Sequence, residues 1–151
     1  MLLSELVTPE RVVMPMAATD KPGAIGELVQ RLVDRCGGNY DDAYRAVVRR
    51  EQELSTGIGF GVAIPHGKSP TVRELSVVAG VAATPVPFDS LDGQPVRLFF
   101  LIVGPEATAG QHVKVLSRIA RLIRHEDLRE RLLRAGTPED FHRALLDAEE
   151  R

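Results

Sequence analysis

The sequence predicts an α/β fold, with a single domain built on a mixed parallel and antiparallel sheet of about five strands flanked by helices on both faces. Strand-like and helix-like segments alternate along the first two thirds of the chain. The segment Val96–Val103 is nearly all apolar, which indicates a strand buried on both faces. The 151 residues are 44% apolar and 26% charged, as in a soluble globular domain with an adequate core.

The first third of the chain predicts one strand and two helices. Arg11–Met16 has the apolar content of a short strand. Thr19 or Asp20 caps the helix that follows, and Gly37-Gly38 ends it, because glycine adopts the left-handed stop conformation. Asn39 or Asp41 begins a second helix directly afterwards. The residues expected to face inward from these helices are Ala24, Ile25, Leu28, Val29, Leu32, Val33, Cys36, Tyr44, Val47, Val48 and Leu54.

The second half of the chain predicts further strands and then three helices. Leu75–Ala82 is a strand, and Thr84–Phe88 is a short edge segment because its prolines cannot donate to a central ladder. A turn at Asp89–Gln94 leads to Val96–Val103. The helices cover Gln111–Arg124, Glu126–Ala135 and a segment that begins at a Thr137 cap. Their inward residues are expected to be Val113, Leu116, Ile119, Ala120, Ile123, Leu128, Leu132, Leu133, Phe141, Ala144, Leu145 and Ala148.

The segment Ser55–Lys68 contains the strongest indication of a functional site. A glycine loop leads into alternating residues, with Phe60, Val62 and Ile64 on one face of a predicted strand. Pro65 has no N–H to give a sheet ladder, so we expect the ladder to stop there. His66 then lies just past the strand end, on backbone that Pro65 fixes and where a side chain can meet another molecule.

Two of the four histidines are candidates for chemistry. A neutral imidazole has one free lone pair and a pKa near neutrality, so His66 can act as a nucleophile. His112 follows the strand Val96–Val103 at the start of a helix, and it would meet His66 if that strand lay beside the His66 strand. His125 and His142 lie on amphipathic helices beside acidic residues and are expected on solvated surface. The alternative is that His66 and His112 are polar surface residues without a role.

Composition and motif spacing exclude several classes of function. A net charge of −2 argues against nucleic acid as the main partner. The single cysteine, Cys36, cannot form an intrachain disulfide and is expected to be a small core residue. The sequence has no run of about 18 apolar residues and no basic signal segment, so we expect a cytoplasmic domain without direct membrane insertion. Dinucleotide, Walker, zinc and nucleophile-elbow spacings are absent, so neither cofactor nor metal is predicted.

Several motifs together give this chain a family resemblance, from about Leu3 to Ala148. The motifs are Arg50-Glu51, Ser55-Thr56-Gly57-Ile58-Gly59, Gly61-Val62-Ala63-Ile64-Pro65-His66-Gly67, Asp92-Gly93 and the segment 112–120, which begins with His112. With these motifs the chain resembles the enzyme IIA (EIIA) domains of the phosphoenolpyruvate-dependent phosphotransferase system, in the fructose/mannitol/nitrogen superfamily, and on that basis residues 1–151 form one type-2 EIIA domain.

The resemblance implies a role for each site residue. His66 is the residue that the phosphocarrier protein HPr phosphorylates, at its Nε2 atom. His112 assists the phosphoryl group, and Arg50 holds its oxygens as a fixed cationic fork. Further residues are expected at the phosphoryl group or at the partner surface: Ser55, Thr56, Gly57 and Gly67. Phe60 departs from the pattern, because many relatives carry a small polar residue such as Asn there.

Three functions remain open from the sequence, and a fourth is weaker. The first is a free-standing nitrogen-type regulatory phosphocarrier, with HPr or a nitrogen-type homologue as donor and a regulated protein as acceptor. The second is a sugar-transport EIIA of the fructose/mannitol type that passes phosphate to a cysteine of a IIB domain. The third is a non-catalytic binding module with incidental histidines. A histidine phosphatase is the fourth, although the Arg-His-Gly signature expected of it is absent. The Pro-His-Gly-Lys sequence that ends at Lys68 favours the nitrogen type.

Overall fold

The computed structural model describes residues 2–150, so Met1 and Arg151, the ends of the predicted 1–151 domain, lie outside it. The six strands are β1 (Val12–Met16), β2 (Gly57–Gly59), β3 (Val62–Ala63), β4 (His66–Lys68), β5 (Ser76–Val86) and β6 (Val96–Gly104). The six helices are α1 (Leu3–Leu6), α2 (Lys21–Cys36), α3 (Tyr40–Glu53), α4 (Ala109–Leu122), α5 (Glu126–Arg134) and α6 (Pro138–Glu149). Short 3-10 turns occupy Pro9–Arg11 and Glu106–Thr108.

All six strands form one mixed sheet in the order β1-β5-β6-β3-β2, with β4 also paired to β6. The strand β1 is parallel to β5, and both β3 and β4 are parallel to β6. Antiparallel pairs join β5 to β6 and β2 to β3. The predicted mixed sheet is therefore confirmed, with six strands in place of about five.

Helices cover the sheet on both faces, as predicted, and each face has its own core. Alternate residues of β6 supply the two cores: Leu98, Phe100 and Ile102 on one face, Phe99, Leu101 and Val103 on the other. Helices α2 and α3 pack on the second face, and α1, α4, α5 and α6 pack on the first. This confirms that Val96–Val103 is buried on both faces. No helix within residues 2–150 has the length and apolar composition needed to cross a membrane.

The N-terminal ends of α2 and α3 are capped as their sequences predict. The Asp20 side chain accepts a hydrogen bond from the Gly23 N–H, and Pro22 lies in the first turn of α2. The Asn39 side chain accepts one from the Asp42 N–H at the start of α3. Both helices therefore begin where the capping residues indicate.

Residues 84–86 of the predicted edge segment belong to β5 and do not form a separate edge element, and Pro87 and Phe88 follow the strand. The ladder between β5 and β6 shifts register between Val81 and Val86, and it closes again where Val86 pairs with Val96. This irregularity accommodates Pro85, which cannot donate a ladder hydrogen bond. Phe88 beyond it is buried, and its ring lies 5.5 Å from that of Phe99 in an edge contact.

Two residues predicted to face inward are exposed instead. Leu54 is 59% exposed because α3 ends at Glu53 and the chain leaves the helix in an extended conformation. Val113 is 65% exposed because the inward face of α4 runs through His112, Val115 and Ile119. The imidazole of His112 thus takes an inward position on the helix.

The stretch predicted as a glycine loop and strand is a β-hairpin. Strands β2 and β3 pair antiparallel, and Phe60 lies at the turn between them with a φ of 60°, in the left-handed region. Its side chain is 63% exposed, and the Arg129 guanidinium lies 4.4 Å from the ring centroid. The placement of Phe60 on a strand face is therefore wrong, because the turn removes it from the alternation.

The prediction that the ladder stops at Pro65 is also wrong. Strand β3 pairs with β6 through Val62 and Leu98, and β4 pairs with β6 in the same register through His66 and Ile102. Although Pro65 has no N–H, its carbonyl accepts a hydrogen bond from the Ile102 N–H at 3.0 Å. The missing N–H of Pro65 interrupts the ladder along β6 without ending it. Pairing resumes at His66, which is the first residue of β4.

Candidate functional site

The ring of His66 is held through one of its two nitrogens. Its Nδ1–H donates a hydrogen bond of 2.9 Å to the Ile64 carbonyl, because a carbonyl can only accept. In the neutral ring the proton therefore resides on Nδ1, and Nε2 carries the free lone pair. Within residues 2–150, no hydrogen bond engages Nε2. The geometry leaves Nε2 as the nucleophilic atom of His66.

A second imidazole lies directly beside the first. The ring centroids of His66 and His112 are 5.0 Å apart, and the planes meet at 69°. The sheet produces this contact, because β4 runs along β6 and the chain after β6 leads into α4, whose first turns hold His112. The two histidines thus meet as predicted from the order of the strands. His112 is only 7% exposed, whereas His66 is half-buried.

Both imidazoles are held in the neutral form near pH 7. Burial lowers the pKa of His66, the Ile64 carbonyl opposes that shift, and the nearby Arg50 charge adds to it. Burial also lowers the pKa of His112, with smaller effects from His66 and from the Lys68 ammonium, to about 4. A neutral His112 carries a ring N–H and can donate one hydrogen bond to an oxygen bound near His66.

A cavity of about 460 Å³ opens beside the two rings. One face of α3 supplies Ala46, Arg49, Arg50 and Glu53, and the other lining residues are His66, Gly67, Lys68, His112, Val113 and Leu116. Arg50 is steadied by donating from Nη1 to the Leu54 carbonyl at 2.9 Å, and its Nε lies 3.9 Å from the Glu53 carboxylate. The cavity therefore joins two imidazoles, a guanidinium and partly apolar walls.

Arg49 and Lys68 also line the cavity, although neither was predicted from the sequence as a site residue. Arg49 lies three residues after Ala46 and four before Glu53 on the same face of α3, so helical spacing alone carried the signal. Lys68 lies two residues after His66 on β4, and its ammonium is 3.3 Å from the Glu106 carboxylate. Both residues add positive charge to the rim of the cavity.

Gly67 lies in the floor of the site and allows the close approach of α3. A Cβ atom added there would lie 2.9 Å from the backbone carbon of Ala46 and 2.9 Å from the nitrogen of Val47. Only a residue without a side chain fits against the helix at this distance. Gly67 is buried, so its structural effect is to bring Arg49 and Arg50 of α3 up to the His66 strand.

The other three predicted site residues lie away from the cavity wall. Thr56 is buried, and its hydroxyl donates to the Glu51 carboxylate at 2.5 Å. Ser55 donates to the Phe88 carbonyl at 3.0 Å and lines a separate cleft between α2 and α3. Gly57 is buried in β2 against Ser90. The structure thus brings His66, His112, Arg50 and Gly67 together, while Ser55, Thr56 and Gly57 lie behind them.

The remaining histidines are separate from this site. His125 is exposed and precedes α5, as expected for solvated surface. His142 is half-buried, and its Nε2–H donates to the Ser4 carbonyl at 2.9 Å. The expectation of a solvated His142 is therefore wrong, because this ring links α6 to α1.

Comparisons with known proteins agree with the architecture and the motifs. The family model "Phosphoenolpyruvate-dependent sugar phosphotransferase system, EIIA 2" matches residues 5–148. A nitrogen regulatory protein of Bradyrhizobium diazoefficiens is 36% identical over 87% of this chain and 86% of its own length. A fructose-specific EIIA component of Haloferax volcanii is 36% identical over 95% of both chains.

Solved structures show the same fold. The crystal structure of the nitrogen regulatory protein IIA-Ntr from Neisseria meningitidis has a TM-score of 0.88, 31% identity, and coverage of 95% of this chain and 98% of that one. Enzyme IIAMtl of Escherichia coli, solved in complex with phosphorylated enzyme IIBMtl, has a TM-score of 0.80 at 21% identity and covers 94% and 99%. The chain therefore belongs to the EIIA type-2 family of the phosphoenolpyruvate-dependent sugar phosphotransferase system.

Proposed function

We propose that this chain is a phosphohistidine carrier, with His66 as the residue that takes up and passes on the phosphoryl group. The observation that carries the proposal is the hydrogen bond from Nδ1–H to the Ile64 carbonyl, which leaves Nε2 as the free nucleophile beside an open cavity. The family's place in a phosphotransferase system supports the same chemistry. The donor is HPr or a nitrogen-type homologue.

The transfer exchanges one nitrogen–phosphorus bond for another. The Nε2 lone pair of His66 forms the new bond to phosphorus, while the donor's bond breaks and its electron pair returns to the donor imidazole. Such a transition state is loose, with negative charge on three equatorial oxygens. The protein therefore has to position the reactants and stabilise that charge.

Two neighbouring groups suit that task. His112 is neutral, so it carries a ring N–H that can donate to a phosphoryl oxygen in the cavity that it shares with His66. Arg50 supplies a permanent cationic fork in the same cavity. Contact of Ser55, Thr56, Gly57 and Gly67 with a partner or a phosphoryl group remains a prediction.

Within the family, we propose the nitrogen-type regulatory role, in the cytoplasm, with a regulated protein as acceptor. The similarity to two nitrogen regulatory proteins supports it, one through sequence and one through a structure at 31% identity. The alternative is a sugar-transport EIIA that phosphorylates a IIB cysteine, which the fructose-specific relative supports. The two roles share the His66 site and differ in the acceptor, so assays of phosphate transfer to a IIB domain and to candidate regulated proteins separate them.

Phosphorylation with phosphoenolpyruvate, enzyme I and HPr tests the site directly. Intact-mass analysis should show one phosphoryl group on the wild type and none on His66→Ala. His112→Ala should take up the same phosphoryl group about 100-fold more slowly, because one donor to the developing charge is lost. His125→Ala is the control, since that exposed ring lies outside the cavity, and it should behave as the wild type.

Full labelling of His66→Ala would exclude the assignment. A wild-type chain that takes up no phosphate but still binds a partner would instead favour a non-catalytic binding module.

A further inference from the structure

Behind the His66 cavity lies a buried carboxylate that the proposed transfer does not use. Glu51 is 5% exposed, and its Oε2 atom lies 2.8 Å from the Lys21 ammonium. It accepts two hydrogen bonds from Thr56, one from the backbone N–H at 2.9 Å and one from the hydroxyl at 2.5 Å. Charge-assisted bonds of this kind are stronger than neutral ones and fix their donors firmly.

The bonds from Glu51 continue through the backbone to the nucleophile. The Thr56 carbonyl accepts a hydrogen bond of 3.0 Å from the Ile64 N–H. The Ile64 carbonyl in turn accepts the Nδ1–H of His66 at 2.9 Å. A continuous set of contacts therefore joins a carboxylate on α3 to the imidazole on β4, through Thr56 just before β2 and Ile64 just after β3.

We propose that Glu51 is a positioning residue for His66, acting through Thr56 and Ile64 to hold the Nδ1–H tautomer. The Lys21 ammonium lies 2.8 Å from Oε2 and orients the carboxylate from its far side. The consequence for phosphoryl transfer rests on the proposed function, whereas the effect on the tautomer does not depend on it.

The chemistry of the transfer explains why this carbonyl must be oriented. When Nε2 bonds to phosphorus while Nδ1 keeps its proton, the imidazole ring becomes positively charged. A carbonyl aligned with Nδ1–H stabilises that charge, and the negative charge of Glu51 acts in the same direction by raising the pKa of His66. A loosely held carbonyl would supply less of this stabilisation at the moment of reaction.

The chain contains a matched control for Glu51. Glu149 is another carboxylate whose side chain is fully buried; it accepts the N–H groups of Leu3 and Ser4 at 2.7 and 2.8 Å and lies 3.5 Å from Arg118. It joins α6 to α1, away from the His66 cavity. Glu51→Gln and Glu149→Gln thus remove the same kind of buried charge, and only the first alters the contacts that lead to His66.

The first readout is the His66 tautomer, from long-range ¹H–¹⁵N spectra of the unphosphorylated protein at about pH 8. The wild type and Glu149→Gln should show the proton on Nδ1, whereas Glu51→Gln should shift the two ring-nitrogen signals toward each other as both tautomers become populated.

The second readout is transfer from phospho-HPr. Glu51→Gln should lower kcat by about 10- to 100-fold with less than about a twofold change in KM, and Glu149→Gln should stay within about twofold in both.

A second pair of variants covers the case in which Glu51→Gln does not fold. Thr56→Val removes the hydroxyl donor to Glu51 while keeping the shape of the side chain, and Thr56→Ser restores the donor. The valine variant should reproduce the tautomer change and the loss in kcat, and the serine variant should recover most of both.

The outcomes separate this inference from the proposed function. A tautomer change in Glu51→Gln or Thr56→Val, in a protein that accepts no phosphate even as wild type, would leave the positioning role standing and exclude the carrier function. Unchanged ring-nitrogen signals together with a kcat within twofold of the wild type, in whichever of these variants folds, would overturn the positioning role. So would an equal loss of kcat in Glu149→Gln.

Discussion

At the scale of single residues, the site depends on imidazoles whose proton positions are set by their surroundings. His66 is fixed by a backbone carbonyl, and His112 is kept neutral because it is buried beside a second ring and near Lys68. A buried, neutral histidine costs stability in acid, because the unfolded chain can bind a proton that the folded chain cannot. The residue that assists the proposed chemistry is thus also an acid-sensitive point of the fold.

Acid should destabilise the protein through His112. Its pKa is about 4 in the folded chain against an ordinary 6.5, so the neutral ring contributes full stability above pH 6.5 and the contribution falls as the pH drops towards 4. Between pH 7.5 and pH 5, the wild type should lose about 2 kcal/mol more unfolding free energy than His112→Gln. Urea denaturation at the two pH values measures the difference, and parallel losses in both proteins would contradict it.

The sequence predicted the residues that touch the cavity better than those that support it. His66, His112 and Arg50 could be named because imidazole and guanidinium chemistry is visible in a motif. The contacts of Glu51 could not be anticipated, because they reach His66 through the carbonyls of Thr56 and Ile64. Every residue type has a backbone carbonyl, so the sequence does not show which carbonyls will make such bonds. Thr56 was expected at the phosphoryl group or the partner surface because its buried hydroxyl bond to Glu51 depends on the β2–β3 hairpin, which was not predicted.

At the scale of elements, the five longer helices within residues 2–150 could be predicted closely, whereas the four-residue helix α1 and the short strands could not. Asp20 and Asn39 cap α2 and α3 with side-chain bonds that their sequences predict. Strands β2, β3 and β4 have two or three residues each, too few for an alternating pattern to be recognised. The ladder resumes at His66 only because the neighbouring β6 imposes its register across Pro65.

The close packing of α3 on β4 should be intolerant of added volume. Gly67→Ala places a methyl group 2.9 Å from backbone atoms of Ala46 and Val47, and backbone cannot move aside as a flexible side chain can. We expect a loss of about 1–3 kcal/mol in unfolding free energy by chemical denaturation. Gly110→Ala is the control, because within residues 2–150 the added Cβ has no atom within 4 Å beyond its chain neighbours and the adjacent backbone of α4, and it should be neutral or slightly stabilising. Equal stability of the two variants would contradict this expectation and show that α3 can shift away from β4 without a loss of stability.

At the scale of the whole molecule, β6 separates two cores and pairs with three other strands. This layered arrangement could be predicted because a nearly all-apolar strand followed by amphipathic helices has few other ways to bury its surface. The position of β4 could not, since it depends on pairing between segments far apart in the chain. Burial around β6 should also determine which parts of the molecule open first.

Hydrogen exchange should divide the sheet into slow and fast regions. Amides of β5 and β6 should exchange only on global unfolding, because they pair along most of their length between two buried cores. The β2–β3 hairpin has few ladder bonds, a left-handed turn and an exposed Phe60, so it should open locally and exchange faster. Mass spectrometry of the exchanging protein measures both, and hairpin protection equal to that of β6 would contradict this picture.

The pairing of β4 with β6 has a consequence for the rate of the proposed reaction. Since His66 is bonded into the sheet on both sides of Pro65, the acceptor ring is already in place before any donor arrives. A visiting phosphocarrier then meets a histidine whose strand is already paired, so little entropy is lost on the acceptor side during the encounter. The rate of phosphoryl transfer would then be limited by the frequency of correctly oriented encounters between the two proteins.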